Sequence, residues 1–134
     1  MSHPDGLPDL FLDRSLGGRK VALILRVEGL RLETLSEHYG IPADEQVSDE
    51  EWLEYAGRAG LVVLMKDSRI RRNAAERAAV ETHKVRCFCI SSQTITAEAM
   101  AARVLRHIDA IVKACAEPGP FIYAVHEQRL ERVL

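Results

Sequence analysis

Short apolar runs alternate with longer amphipathic ones along this chain, the order expected when parallel strands are joined by crossover helices. The runs at 10–12, 30–35, 61–65 and 86–90 read as strands. Segment 19–28 is rich in helix formers and is followed by Gly29 as a C-terminal stop; its VALILRV core also fits a strand, and we read it as helix. Ser48 with Glu51 three residues later is a capping-box signature, after which Trp52, Leu53 and Ala56 recur at helical spacing until Gly57 or Gly60. Asn73 with Glu76 opens another helix that runs to about His83. The longest helix begins near Thr96, carries Met100, Val104, Ile108, Ile111 and Cys115 on one apolar stripe, and stops before Pro118 and Gly119. After it, FIYAV and RLERV flank a turn at 126–128 and read as a terminal hairpin or as two edge strands.

Composition narrows the class. A chain of 134 residues with 47% apolar and 28% charged residues is expected to form one soluble α/β domain over 9–134, with residues 1–8, broken by Pro4, Gly6 and Pro8, irregular. A domain of this size buries enough surface to need neither disulfides nor a structural metal. Cys87, Cys89 and Cys115 lack CxxC spacing and read as reduced core thiols. The five histidines show no HxxxH pair, which argues against zinc. No basic leader precedes an apolar core and no apolar run approaches the ~18 residues of a membrane span, so the expected location is the cytoplasm, away from any membrane. A formal net charge of −2 argues against a general DNA-coating protein but leaves room for a confined basic patch.

Chemistry concentrates at the strand ends. Asp13 closes LFLD and Asp67 closes LVVLMKD; in parallel sheets ligands bind beyond the carboxyl ends of strands, so both acids are expected at one edge of the fold. Asp49 lies three and four residues before Trp52 and Leu53 and is expected to share their buried face, with Glu50 and Glu51 turned toward solvent as reserves. Three converging carboxylates repel one another, and a divalent hard cation, Mg2+ or its substitute Mn2+, relieves that repulsion. Such an ion equips a site for phosphodiester hydrolysis with activated water. Arg14, Lys66, Arg71 and Arg72 flank the aspartates and can hold phosphate oxygens. Each element also has an ordinary reading: the aspartates as turn or capping residues, the arginines as a solvated face, Trp52 as core.

At these residues the chain resembles the PIN-like domains, in particular the VapC-type toxins of bacterial toxin–antitoxin pairs. FLDRSLGG, LRLETLSEHYG, SDEEWLEYAGRAGLVVLMKDSRIRR, RCFCI and PGPFIYAV carry the resemblance, in that order, over nearly the whole chain after residue 8. It implies a three-layer α/β/α PIN-like domain with a central, mainly parallel sheet. It also implies a magnesium-dependent ribonuclease inhibited by an antitoxin, with the metal-binding acids falling on Asp13, Asp49 or an adjacent glutamate, and Asp67. Two positions depart from the pattern. Met65 stands where similar domains carry a threonine before the Lys-Asp pair, and Ser68, Arg69 and Ile70 follow where many carry a fourth acid. Ser91 and Ser92 are further polar groups for the same edge.

The expected function is therefore an endoribonuclease toxin that cleaves RNA and is silenced by an antitoxin protein. The alternative is a PIN-like module, weak or inactive in catalysis, that grips RNA or a protein partner. A phosphoacceptor domain ranks third, because the basic residues accompany two aspartates and not a single acceptor. The long helix and apolar C-terminal segment also leave room for a homodimer.

Overall fold

The computed structural model describes residues 2–16, 19–66, 73–91 and 95–134. Its first strand, β1 (Leu10–Leu12), is followed by a 3-10 turn at Arg14–Leu16 and by α1 (Arg19–Val27). Next come β2 (Leu32–Thr34), α2 (Leu35–Tyr39), a 3-10 turn at Ala43–Gln46 and α3 (Asp49–Ala59). The remainder runs β3 (Val62–Lys66), α4 (Ala74–His83), β4 (Arg86–Ile90), α5 (Ala97–Arg106), α6 (Ile108–Ala114), β5 (Phe121–Val125) and β6 (Leu130–Arg132). The strands lie in the order β2-β1-β3-β4-β5-β6, with every neighbouring pair parallel except β5 and β6.

Side-chain alternation along the strands divides the core into two layers. Leu10, Leu12, Val62, Leu64, Phe88, Ile90, Phe121 and Val125 face α1, α5 and α6. Phe11, Val63, Met65, Cys87, Cys89 and Ile122 face α3 and α4, together with Leu35 at the start of α2. Helices on both faces explain why the central strands are almost uniformly apolar, since neither face meets water. The architecture is thus the three-layer α/β/α arrangement that the sequence resemblance implies. Among the described residues, no helix is long and apolar enough to cross a membrane.

Local signals placed most boundaries. Ser48, Asn73 and Thr96 each accept a backbone N–H three residues on, at 3.1 Å, and begin α3, α4 and α5. At the far end of α3, Gly60 adopts the left-handed conformation that closes the helix. Gly57 is required for another reason: a Cβ there would lie 2.2 Å from the His83 carbonyl oxygen, so its missing side chain lets α3 and α4 touch.

Two expectations need correction. The strand expected over 30–35 is limited to Leu32–Thr34, because Thr34 and Glu37 form a reciprocal capping box that starts α2 at Leu35. The helix expected to run unbroken from Thr96 stops at Arg106, and α6 begins at Ile108. Between them, buried His107 uses Nε2 to reach the carbonyls of His126 (2.9 Å) and Glu127 (3.1 Å), which satisfies its polar ring at the break between the two helices. The C-terminal runs form the first of the two arrangements the sequence offered, an antiparallel terminal hairpin of β5 and β6, with β6 at the edge and β5 also paired with β4. The three cysteines are free and buried, and burial raises the thiol of Cys87 well above its ordinary range and that of Cys115 to about 11.

Candidate active site

The parallel register brings the carboxyl ends of β1, β3, β4 and β5 to one edge. Leu12 pairs with Leu64 and the Asp13 N–H donates to the Leu64 carbonyl at 3.3 Å, so Asp13 is the first residue past a central strand. The chain then turns sharply. Ser15 donates both its N–H (3.0 Å) and its hydroxyl to Asp13 Oδ1, and Ser15 Oγ accepts the Lys66 N–H at 2.9 Å. This serine therefore clamps the ends of β1 and β3 together while fixing one oxygen of Asp13. Sequence reasoning missed Ser15, although an aspartate side chain capping the N–H two residues later is a recurrent turn and the Asp-x-Ser spacing carried that signal.

The second acid arrives from α3. Asp49, the first residue of that helix, is exposed and not buried as its helical spacing suggested, although Trp52 and Leu53 of the same helix are buried. Its position is nonetheless fixed. Trp52 Nε1 donates to Asp49 Oδ1 at 3.0 Å, and the Trp52 ring stacks on Phe11 of β1 with centroids 5.7 Å apart and planes 22° apart. The stack ties the start of α3 to the strand that delivers Asp13. Glu50 and Glu51 are exposed too, but the charge that reaches Asp13 from this helix is that of Asp49. Glu51 instead helps line a separate cavity of about 380 Å³ with Tyr39, Glu54, Tyr55 and Arg58, to which neither Asp13 nor Asp49 contributes.

Electrostatics single out Asp13. Burial, together with the Asp49 carboxylate, outweighs the two Ser15 hydrogen bonds and the nearby Arg14, and raises Asp13 to about 6. Arg14 itself is engaged structurally: its Nη2 donates to the carbonyls of Asp44 (3.1 Å) and Val47 (2.9 Å), pinning the loop before α3. Lys66 is the last residue of β3, half-buried at the same edge. Asp67, Arg71, Arg72 and Ser92 lie outside the described residues. Among the described residues no three acidic, histidine or cysteine side chains close on one point. The donors present at the edge, two carboxylates and a hydroxyl, are all oxygen, and the raised Asp13 shows a charge short of compensation; both features fit a hard divalent cation.

Comparison with known proteins agrees with this geometry. Residues 8–92 match the family profile described as "PIN like domain". Over 128 residues the chain is 44% identical to a Mycobacterium tuberculosis protein named "Putative ribonuclease VapC45", covering 96% of this chain and 93% of that one. No solved structure matches significantly. The strand order, the acid past β1 and a family match across more than half the chain lead to one conclusion: the chain belongs to the PIN-like domain family, among its VapC-type members.

Proposed function

We infer that this protein is a metal-dependent endoribonuclease and the toxin of a type II toxin–antitoxin pair, with residues 9–134 as its nuclease domain. The observation that carries the reading is Asp13, a carboxyl group just past a central parallel strand, raised to about 6 by burial and by the charge of Asp49. A carboxylate in that setting is destabilising until a cation joins it. Asp13, Asp49 and Asp67 would hold the ion, with Glu50 and Glu51 in reserve, and Mg2+ or Mn2+ suits an all-oxygen donor set. When bound, the ion would polarise a phosphoryl oxygen and lower the pKa of water. The likeness to a mycobacterial protein named as a ribonuclease supports RNA as substrate.

The chain's own residues have distinct tasks. Ser15 holds Asp13 in one orientation before any ligand arrives, which removes a reorganisation step from binding. The Phe11–Trp52 stack does the same for Asp49 through the indole N–H. Lys66, Arg71 and Arg72 draw the polyanion toward a pocket whose acids would otherwise repel it, and Arg14 adds charge while bracing the loop before α3. The antitoxin is a protein that covers this edge and blocks RNA.

The test is cleavage of labelled RNA by purified protein with Mg2+ or Mn2+ and with EDTA. Cleavage should require the ion, and Asp13→Asn, Asp49→Asn and Asp67→Asn should abolish it with the fold intact. RNA that is bound yet stays whole with either ion would favour the noncatalytic binding module, and undiminished cleavage by Asp13→Asn would overturn the site. Cells expressing the chain should survive only with the small neighbouring reading frame that encodes the antitoxin; harmless expression alone would remove the toxin assignment.

A further inference from the structure

Two strands away from Asp13 the same edge carries a polar chain that the nuclease reading does not use. Ile90 pairs with Val125, so the residues that follow them, Ser91 and His126, emerge side by side past β4 and β5. Ser91 Oγ lies 2.7 Å from His126 Nδ1 and 3.3 Å from the Val125 carbonyl oxygen. His126 Nε2 lies 2.8 Å from Glu131 Oε1 on β6. The turn is held from below by α5, whose Arg106 donates to the Glu127 carbonyl at 3.1 Å, and by the His107 bonds described above. Ser91 and His126 are only half-buried at this edge.

The protonation state of His126 sets what Ser91 can offer a ligand. A carboxylate accepts only, so His126 Nε2 must carry the hydrogen it shares with Glu131. If the imidazole is neutral, Nδ1 is an acceptor and takes the Ser91 proton. If it is protonated, Nδ1 donates to Ser91, and the serine proton is free to turn to the Val125 carbonyl or to an outside acceptor. With the imidazole neutral, the single hydroxyl proton of Ser91 is committed to Nδ1 while the lone pairs on Oγ remain open. In that state the oxygen has no proton for a phosphate, which only accepts, but it can accept from a hydroxyl.

We propose that Ser91 Oγ, oriented by His126 and Glu131, accepts a hydrogen bond from a ribose 2′-hydroxyl of the bound strand and so selects RNA over DNA. The inference rests on RNA being the ligand of this edge and identifies which ribose group is recognised. Two inter-strand spacings, roughly 10 Å, separate Ser91 from Asp13, so the ribose belongs to a nucleotide flanking the scissile phosphate and not to the scissile phosphate itself.

The experiment measures binding of the full protein in EDTA, where the strand stays whole. It uses an oligoribonucleotide and a series in which each nucleotide in turn is 2′-deoxy or 2′-fluoro, the latter lacking the donor. For the wild type, one position should lose about tenfold in affinity with either substitution, the effect of leaving one hydrogen bond unmade. Ser91→Ala should bind the all-ribose strand about tenfold more weakly and lose the sensitivity at that position alone, while Ser91→Thr, which keeps the hydroxyl, restores it. A Ser91→Ala protein that retains the 2′-deoxy penalty at every position overturns the proposal, as does one weakened equally on every member of the series. Absence of RNA binding by the wild type overturns it together with the ribonuclease reading. Tight, 2′-sensitive binding without cleavage in Mg2+ overturns the nuclease reading alone.

Discussion

Asp13→Asn should make the metal-free protein more stable at neutral pH. In the folded chain the Asp13 carboxyl is raised from 3.8 to about 6, a difference of about two units. At 1.36 kcal/mol per unit, its ionisation opposes folding by about 3 kcal/mol above pH 6. Because the folded pKa lies above the unfolded one, the protonated group favours folding: this stability is fully present below about pH 3.8 and is lost as pH rises through about 6. Asparagine keeps an oxygen to accept from the Ser15 N–H and hydroxyl but carries no charge. Allowing for weaker bonds to a neutral acceptor, the gain at pH 7.5 is about 1–3 kcal/mol. For a chain of 134 residues, with an unfolding entropy near 2.1 cal/mol/K per residue, that corresponds to a Tm about 4–10 °C higher. The assay is thermal unfolding in EDTA from pH 4 to 8, with the gap between variant and wild type widening from near zero at pH 4 to its full size above pH 6.5. Adding Mg2+ should close the gap at pH 7.5, because a cation that binds only the folded wild type stabilises it by mass action. Coincident melting of the two proteins at pH 7.5 in EDTA, or a gap that ignores pH, would refute the claim that Asp13 is held charged at a cost.

Other consequences follow from the same geometry. Trp52→Phe keeps the stack on Phe11 but removes the 3.0 Å bond to Asp49, so RNA cleavage should fall several-fold while the Tm changes by only a few degrees; unchanged kinetics would mean that Asp49 needs no anchor. Gly57→Ala drives a methyl into the His83 carbonyl at 2.2 Å and should destabilise the fold by about 1–3 kcal/mol in urea unfolding, without altering the metal dependence of activity. Ser48→Ala removes the cap of α3 and should reduce stability by about 1 kcal/mol, with a larger effect on cleavage than Thr96→Ala, whose helix does not carry an acid of the site.

Much of the architecture was legible in the chain. The apolar runs at 10–12 and 86–90 coincide with β1 and β4, and the caps at Ser48, Asn73 and Thr96 mark three helix starts. These signals are complete within three or four residues, since a cap and an apolar stripe act on their own turn. The same locality misled where two signals overlapped. Between Leu30 and Leu35 an apolar pattern coexisted with the Thr34–Glu37 box, and the box decided. At His107 nothing in helix propensity announced a break, and the partners of its ring lie about twenty residues away in the carbonyls of His126 and Glu127.

By itself the sequence determined the alternation of strands and helices, the burial of the central strands, and the place of Asp13 at a strand end, all consequences of local periodicity. Only the tertiary structure decided which acid of α3 acts on Asp13, that Ser15 joins β1 to β3, and that Ser91, His126 and Glu131 form one chain of hydrogen bonds. Those choices depend on sheet order and register, which bring residues 35 or more positions apart within bonding distance. No periodicity within a single segment specifies its neighbour across the sheet. The pairing is fixed when the two apolar layers close, and the polar groups at the strand ends are carried to wherever that packing puts them.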